Sequence, residues 1–579
     1  MSELSYVDAE EIAEACKSAD YFDGSSSNSR NQPLHECHYI DNAVGRRPEN
    51  LPAELLVEAM TYIVDGDTDA SWWQSISLVS RYWHGVAREA AVLWSSPWAS
   101  YNPKLFRAAI ERSRTFPLDV NIAGPFSWCL AALDAVRPHA DRVWRLAFGP
   151  GPEQSENIPL PDIIDMSYLD FEVPNLTDLH LDLQHFAEQT PFVITHSRYP
   201  RLRDLTLEAA TTPCDKEAYA ALTNLTLLDQ HHIEGFEQTL EDFAAMLRAC
   251  THLQYLHIEE SGPDGRHNHE LMMRPTDPRT TVRLSRLRVL GLRDEDKNTA
   301  LILKHITFPR RTCIYITMIH EEHLPSGNMQ GFCVTPSVEK VLSKVEVIRV
   351  VTWPSFRIRI ELQPSIDKKF EWDSCEQRSC IGLDLEGPSA DGELDICWSV
   401  MALTTNPQKL AAAPLKCLII QGRYWDTHWR RFLMAFPSLE EIRIEDYERL
   451  HREFYEALTV RDPRTDQIAC PNLQVFVVTG RWNVDLVHDV MACFGIRKAY
   501  VPMLKKLVFE TDERDIGLPL GPNRFIYLRA MRRVAEVVEV WTGMVPELGR
   551  RDMVRVHELT DEEWDRALLF GTKWWEPPF

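Results

Sequence analysis

Three histidine clusters and one cysteine pair have the residue types that bind metal ions. They are HECH at 35–38, HNHE at 267–270, HEEH at 320–323 and CEQRSC at 375–380. A helical zinc site of the HExxH type needs histidines four residues apart, and a closed structural site needs two ligand pairs. None of the four stretches meets either requirement. We therefore predict surface or loop histidines, with no metal and no cofactor.

Loops that cradle phosphates or present a nucleophile are also missing from the sequence. It contains no GxxxxGK[ST], GxGxxG or GxSxG, the patterns of nucleotide-binding loops and hydrolase elbows. Glycine is scarce, with 24 residues in 579. We predict no catalytic residues and a protein that is not an enzyme.

The charge balance bears on the class of partner. The chain has 86 acidic and 62 basic residues, a formal net charge of -24. Such an excess repels a phosphate backbone, because affinity for nucleic acid comes from Lys and Arg displacing counterions. Nucleic acid and anionic membrane are therefore poor candidates for the main partner, and we predict neither.

Segments that direct export or span a membrane are not evident either. The start, MSELSYVDAEEIAEACKSAD, lacks the apolar stretch of a signal peptide, and no apolar run approaches 18 residues. The thirteen cysteines are scattered without a repeated Cys-x2-Cys pair. We expect reduced thiols, mostly buried as small hydrophobes, in a cytoplasmic or nuclear protein.

From about residue 140 a motif of apolar residues at positions i, i+3 and i+5 recurs along the chain. Its copies are VWRLAF from 143, LTDLHL from 176, LRDLTL from 202, LQYLHI from 253, LRVLGL from 287, VEVIRV from 345, LKCLII from 415, LEEIRI from 439, LQVFVV from 473 and LKKLVF from 504. LTNLTLLDQ fits the motif in two frames, and the sequence does not choose between them. Residues i+3 and i+5 alternate inward on a short strand, which predicts stacked strands.

A shared lead-in sequence precedes several of the copies. Several begin with a proline and a polar residue, as in VPNL, YPRL, FPSL and CPNL, and helical segments such as TLEDFAAMLRAC and DTHWRRFLMAF lie between them. Strands alternating with helices predict an α/β fold, an irregular solenoid of parallel strands stacked with helices. The wide gaps 293–344 and 351–414 hold strand-like runs without the full motif, interpreted as degenerate repeats or insertions.

A short helical block precedes the repeats. In LPAELLVEAMTYIV, which starts at Leu51, a proline stands where a first helical turn tolerates it and apolar residues follow at helical spacing. After DGDTDAS come a second, short helix and a third over RYWHGVAREAAVLW. So small a module has more large apolar residues than its core can hide, which indicates an exposed protein-binding patch.

This block resembles an F-box, whose pattern is Leu-Pro-x-Glu-Leu-Leu, a turn, then Leu-Val-Ser-x-x-Trp and a closing Leu-Trp. The matching positions are Leu51, Pro52, Glu54, Leu55, Leu56, Leu78, Val79, Ser80, Trp83, Leu93 and Trp94. The next segment, LFRAAIERSRTFPLDVNI, looks like the one that joins F-box to repeats in a large group of fungal F-box proteins. The resemblance implies an F-box followed by a leucine-rich-repeat-like domain.

In that family the module docks a Skp-family adaptor and, through it, a cullin-RING ubiquitin ligase, so the resemblance implies a substrate-recognition subunit. The predicted centre of the adaptor interface is Leu51, Pro52, Leu55, Leu56, Val79, Ser80 and Trp83. Some of these side chains must instead hold the three helices together. Two alternatives remain: an adaptor-independent scaffold whose helices only cap the solenoid, and an unrecognised hydrolase on a repeat scaffold.

The repeats would recruit a protein substrate through the residues that flank position i+5 of each strand. Candidates are Asp182, Glu208 and Glu259 in early copies and Arg293 and Arg349 in middle copies. The arginines suit a phosphate or carboxylate on the substrate. The alternative is that these are solvated surface charges with no ligand.

The sequence predicts five segments. They are a disordered tail over 1–45, the F-box module over 46–100, a helical linker over 101–140, the solenoid over 141–520 and a helical cap over 521–579. The cap is predicted from FIYLRAMRRVAEVVEVW and LTDEEWDRALLF, which fit amphipathic helices. Such a cap would cover the last repeat.

Overall fold

The computed structural model shows a mixed α/β protein built around parallel strands. The structure describes residues 51–66, 71–98, 103–151, 163–164, 166–184, 188–189, 193–210, 215–230, 239–263, 279–319, 335–352, 357–365, 381–386, 413–421, 429–445, 452–463, 465–479, 484–510, 531–545 and 550–555. The predicted tail, the three histidine clusters and the cysteine pair lie outside these residues.

The described residues divide into two compact units. Unit one comprises those within Met1–Phe236 and Ala249–Leu253, and unit two those within Glu237–Arg248 and Gln254–Phe579. Each unit has its own parallel strands with helices between them, which confirms the α/β prediction.

Unit one opens with the three predicted helices. They are α1 (Ala53–Gly66), α2 (Ser71–Val79) and α3 (Arg81–Glu89), followed by a 3-10 turn over Ala91–Trp94 and by α4 (Pro103–Arg112). Helix α2 ends before Ser80, whose backbone is extended and whose hydroxyl caps α3 by accepting a hydrogen bond from the Trp83 amide at 3.2 Å.

The rest of unit one is a sheet of five parallel strands in spatial order β1-β2-β4-β6-β7. Its elements are β1 (Leu118–Pro125), α5 (Phe126–Val136), a 3-10 segment (Arg137–Arg142), β2 (Val143–Gly151), β3 (Ile163–Ile164), a 3-10 segment (Met166–Leu169), β4 (Asp178–Asp182), β5 (Glu188–Gln189), β6 (Asp204–Glu208), α6 (Lys216–Ala221) and β7 (Asn224–Leu228). Strands β3 and β5 pair separately with each other. The predicted helical linker is wrong at β1, because Leu118, Val120 and Ile122 alternate into the core and are buried.

Several copies of the motif enter their strands through the same four-residue turn. In the four proline copies, the carbonyl of the residue before proline accepts from the amide of the motif's first leucine. The pairs are Val173–Leu176 at 3.1 Å, Tyr199–Leu202 at 3.2 Å, Phe436–Leu439 at 3.3 Å and Cys470–Leu473 at 3.2 Å. This is a β-turn with proline at its second position. Cys250 and Leu253 make the same turn without proline, at 3.3 Å.

Strand β7 resolves the ambiguous copy LTNLTLLDQ. Leu222, Leu225 and Leu227 are the buried positions, so the motif starts at Leu222.

In three copies the seventh residue after the first leucine has a left-handed backbone: Ala209 with φ 46°, Asp229 with φ 53° and Glu260 with φ 43°. A repeated backbone feature of this kind indicates that these copies leave their strands by the same path.

Substitutions at Glu260 test whether the backbone after the strand is left-handed there. Glu260→Gly and Glu260→Ala both delete the side chain, but only glycine adopts a positive φ without steric cost. We expect Glu260→Gly to have a free energy of unfolding about 1 kcal/mol higher than Glu260→Ala, measured by urea denaturation. Equal stability, or a more stable alanine variant, would show that the backbone there is not left-handed.

Unit two holds the remaining motif copies. Its sheet has the spatial order β8-β10-β12-β15-β14-β13-β16-β17-β18-β19-β20-β21. The elements are α7 (Leu240–Ala249), β8 (Tyr255–Glu259), β9 (Val282–Arg283), β10 (Val289–Glu295), α8 (Asp296–His305), β11 (Ile306–Thr307), β12 (Cys313–Ile319), α9 (Pro336–Leu342), β13 (Val347–Thr352), β14 (Arg357–Gln363), β15 (Ile381–Glu386), β16 (Cys417–Gln421), α10 (Trp429–Ala435), β17 (Glu441–Glu445), α11 (Arg452–Thr459), β18 (Val475–Thr479), α12 (Val484–Arg497), β19 (Leu504–Glu510), β20 (Ala535–Val545) and β21 (Arg550–Arg555). The predicted helices TLEDFAAMLRAC and DTHWRRFLMAF correspond to α7 and α10.

The wide gaps contain strands of two kinds. Strands β12 and β15 run parallel to each other, as repeats do, whereas β14 runs antiparallel to both β15 and β13. In the sheet, β15 and β14 therefore lie between β12 and β13, although β12 and β13 are consecutive strands in the sequence. The interpretation as degenerate repeats or insertions is thus confirmed for these strands, and DICWSVMAL lies outside the described residues.

The predicted helical cap is wrong where the structure describes it. Ala535–Val545 forms β20, parallel to β19, and Arg550–Arg555 forms β21, antiparallel to β20. The valine-rich run extends the sheet, because β-branched side chains suit a pleated surface and β19 offers an edge to pair with. LTDEEWDRALLF lies outside the described residues.

The state of the cysteines and the character of the helices bear on the predictions of reduced thiols and of no membrane span. The six cysteines that the structure describes are free thiols and are all buried, as expected. They are Cys129, Cys250, Cys313, Cys417, Cys470 and Cys493. Among the described helices, none combines the length and the apolar character needed to cross a membrane.

Candidate protein-docking surface on the helical module

The core of the helical module is built on tryptophan. Trp72, Trp73 and Trp94 pack together, with the Trp73 and Trp94 ring centroids 4.6 Å apart. The Trp94 indole Nε1 donates a hydrogen bond to the Ala87 carbonyl at 2.8 Å. Leu56 of α1 is 0% exposed and packs into this cluster. The three helices therefore have a complete core that does not need their outer side chains.

A second apolar stripe runs along α1 and faces away from that core. Leu51, Leu55, Tyr62 and Ile63 follow the helical period and are all exposed, Leu55 by 52% and Tyr62 by 76%. A surface helix normally carries polar residues on the face opposite its buried stripe. Helix α1 is instead apolar on two faces, of which only one is buried among the residues that the structure describes.

The junction of α2 and α3 adds three apolar side chains to this surface. Leu78 and Val79, the last two residues of α2, are 86% and 54% exposed, and Tyr82 is exposed at the start of α3. The Tyr82 hydroxyl donates to the Leu51 carbonyl at 2.9 Å, which holds the junction beside the start of α1. We call Leu51, Leu55, Tyr62, Ile63, Leu78, Val79 and Tyr82 the outer patch.

Three of the predicted adaptor contacts, Leu51, Leu55 and Val79, belong to the outer patch. Pro52 is exposed beside Leu51. The prediction is wrong for Leu56, because this side chain is fully buried and cannot touch a partner while the module is folded.

The other two predicted contacts have structural roles within the module. Ser80 is the N-cap of α3, as described above. Trp83 is half-buried and packs against the tryptophan core, and its indole Nε1 has no hydrogen-bond partner among the described residues. Replacing Trp83 would therefore disturb the core as well as any interface.

Four members of the outer patch were missing from the predicted contacts: Tyr62, Ile63, Leu78 and Tyr82. Tyr62 lies seven residues after Leu55 and eleven after Leu51, a spacing that continues the exposed stripe of α1. This periodic signal was present in the sequence.

The rim of the patch is polar. Glu54, Glu58 and Arg81 are exposed beside the apolar side chains. Burial, and then the nearby Arg88 and Arg112 charges, lower the pKa of His84, which lies 5.2 Å from the Trp73 ring. An apolar centre with a charged rim is the usual anatomy of a protein interface.

In unit one, the predicted substrate-contacting residues Asp182 and Glu208 lie on the polar face of the sheet. Asp182 Oδ1 accepts from the Gln184 amide at 3.1 Å, and Glu208 lies 3.4 Å from His180 Nε2. Burial, together with the neighbouring Asp182 carboxylate, raises the pKa of Glu208. These residues are thus held by neighbours in their own sheet.

In unit two, the predicted substrate-contacting arginines are already paired with carboxylates. Arg293 forms an ion pair with Glu259, the third acidic candidate. The hydrogen bond from His257 and then the Arg293 charge lower the pKa of Glu259, although burial opposes them. Ion pairing leaves this arginine less able to capture a phosphate or carboxylate from a substrate.

Arg349 is held in a similar way by neighbouring strands. It donates to Glu445 Oε2 at 2.9 Å and to Gln421 Oε1 at 2.7 Å, and it lies 3.9 Å from Glu361. Each of the five predicted substrate contacts thus has a partner within its own unit. Substrate binding through them stays a prediction.

No protein-family model and no curated protein matches this chain. Among the described residues, no three His, Cys, Asp or Glu side chains are grouped so that they could hold a metal ion.

Proposed function

We propose that this protein is the substrate-recognition subunit of an SCF-type cullin-RING ubiquitin ligase. The helical module is an F-box that docks a Skp-family adaptor through the outer patch. The strands that follow are a leucine-rich-repeat-like solenoid that recruits a protein substrate. The protein performs no chemistry itself and acts by raising the effective concentration of substrate at the ligase.

The observation that carries this proposal is the exposure of the outer patch over a module whose core is already complete. Leu55 and Leu56 are adjacent in sequence, yet Leu56 is fully buried and Leu55 is half exposed. Contiguous exposed apolar side chains mark interaction surfaces in soluble proteins, because leaving them in water is unfavourable. Four members of the outer patch, Leu51, Leu55, Leu78 and Val79, stand at positions that match the F-box pattern.

The repeats support the recruiting role. Motif copies enter parallel strands through the same turn, which gives a regular array with one polar face. Extended faces of this type suit the recognition of protein surfaces.

A binding experiment with the purified chain and a Skp-family adaptor tests the proposal. We expect wild type to form a stable complex, and Leu55→Ala/Val79→Ala to bind at least about 100-fold more weakly, because two truncations at an interface centre cost about 2 kcal/mol each. Ile496→Ala is the matched control, since Ile496 is an equally exposed aliphatic residue on α12. It should bind like wild type, and all variants should keep the wild-type circular dichroism.

A second candidate function, an adaptor-independent scaffold, is favoured by one contact. The segment after the helices lies along β1, where the Asp119 amide donates to the Ser95 carbonyl at 2.8 Å and the Asn121 amide to the Pro97 carbonyl at 3.1 Å. The module therefore covers the first strand of unit one. Under this alternative the chain binds no adaptor, and Leu55→Ala/Val79→Ala behaves like wild type in every assay.

A further inference from the structure

The outer patch has two halves that belong to different parts of the chain. One half lies on α1 and on the residues just before it, and the other lies at the junction of α2 and α3. A partner binds both halves well only if they keep a fixed arrangement relative to each other. Leu51 is the member of the patch that stands outside these helices, because α1 begins at Ala53.

The backbone at Leu51 offers a single group by which it can be held. Residue 52 is a proline, which has no amide N–H, so the peptide that joins Leu51 to Pro52 can only accept, through the Leu51 carbonyl. The hydrogen bonds of α1 begin one residue later, where the Leu56 amide donates to the Pro52 carbonyl at 3.1 Å. The Leu51 carbonyl therefore lies just outside the helix and needs a donor from elsewhere.

Tyr82 supplies that donor from the other half of the patch. Its hydroxyl donates to the Leu51 carbonyl at 2.9 Å, across 31 residues of sequence. Tyr82 lies in the first turn of α3, which is fixed by the Ser80 cap on the Trp83 amide. The phenol thus stands on an ordered turn, and its hydrogen bond ties Leu51 to the junction of α2 and α3.

This hydrogen bond also prepares the patch for burial under a partner. Tyr82 is 38% exposed and Leu51 41%, so water competes for both groups in the free chain. A docked partner would exclude that water. The hydroxyl and the carbonyl would still satisfy each other within the apolar surface, so that neither group would be left buried without a hydrogen bond.

We propose that Tyr82 is a positioning residue for adaptor docking, whose hydroxyl holds Leu51 in the place where the adaptor binds it. The inference rests on the proposed function, because it concerns the same surface. Without the hydrogen bond Leu51 would sample other backbone conformations, and docking would have to restrict them, which weakens binding. The hydroxyl acts through Leu51 and makes no contact of its own with the adaptor.

A double-mutant cycle, with binding of the full-length chain to a Skp-family adaptor as the readout, tests this role. Tyr82→Phe keeps the ring and removes only the hydroxyl, and we expect it to weaken binding about fivefold. Leu51→Ala should weaken binding at least about tenfold. If the hydroxyl acts through Leu51, the double variant binds no more weakly than Leu51→Ala alone.

The control is Tyr500→Phe, which removes a hydroxyl from an exposed tyrosine outside the outer patch. It should bind like wild type, and circular dichroism should show that all variants fold. The role of Tyr82 is overturned if Tyr82→Phe binds like wild type. It is also overturned if the double variant binds about fivefold more weakly than Leu51→Ala, because a direct contact or a general loosening of the module would multiply with the loss of Leu51.

Failure of the proposed function gives a different result. Both outcomes that overturn the role of Tyr82 alone require that the wild-type chain forms a complex with the adaptor. A wild-type chain that forms no complex refutes adaptor docking itself, and the role of Tyr82 in docking with it.

Discussion

Replacing Leu56 with alanine is expected to lower the free energy of unfolding of the helical module by about 3 kcal/mol. Leu56 is 0% exposed and packs against the tryptophan core, so the substitution removes buried methyl groups and leaves a cavity. Urea denaturation followed by tryptophan fluorescence measures the effect, because Trp72, Trp73 and Trp94 report on this core.

The neighbouring substitution, Leu55→Ala, is the matched control for that prediction. Leu55 has the same chemistry and the same helix but points to solvent, so its replacement should change the free energy of unfolding by no more than about 0.5 kcal/mol. Under the proposed function, Leu55→Ala weakens adaptor binding and leaves stability intact. Equal loss of stability in the two variants would contradict the orientation of α1.

Replacing Arg497 with leucine is expected to lower the free energy of unfolding by at least about 3 kcal/mol. Arg497 is buried, and its guanidinium donates to three backbone carbonyls: Leu458 at 2.6 Å, Ala469 at 2.7 Å and Cys470 at 2.7 Å. Leucine would leave these acceptors buried and unsatisfied, at about 1 kcal/mol or more each.

Arg497 ties the end of α11 and the turn before β18 to α12, so its loss should loosen three elements together. Hydrogen exchange followed by mass spectrometry should show faster exchange over 452–479 in Arg497→Leu. Ile496→Ala, at the adjacent exposed position, should leave both stability and exchange unchanged. If Arg497→Leu were as stable as wild type, the three carbonyls would have to find other donors, and the role given to Arg497 would be wrong.

The strands of the repeats were predictable because their signal is local. A residue at i+3 and one at i+5 share a face only on a strand, and Leu179 with Leu181 or Leu205 with Leu207 are buried as that pattern requires. The proline before several copies was visible in the sequence too, but the backbone turn that it forms was not. The structure shows a hydrogen-bonded turn rather than a simple helix end.

The elements that were missed depend on contacts distant in sequence. Strand β14 has the same alternating pattern as a repeat, and only its pairing with β13 and β15 makes it antiparallel. The run AEVVEVW fits a helix and a strand equally well, and the free edge of β19 selects the strand. Local pattern alone cannot decide such cases, because tertiary pairing overrides propensity.

For the candidate site, sequence identified the module but not the orientation of every side chain. Leu55 and Leu56 lie about 100° apart on α1, and which of them faces inward depends on where Trp72 and Trp94 pack. Trp83, which is predicted at an interface, lies half-buried against the core, and its interface role stays a prediction. The paired charges of Arg293 and Arg349 could not be foreseen, since their partners come from other strands.

Site-specific cross-linking in the complex with a Skp-family adaptor tests the central claim most directly. A photoreactive residue at position 78 places the probe on the most exposed side chain of the outer patch, and one at position 496 is the control on α12. Docking through the outer patch predicts efficient cross-linking to the adaptor from position 78 and none from position 496. A complex that forms normally but gives no cross-link from position 78 would contradict docking through the outer patch.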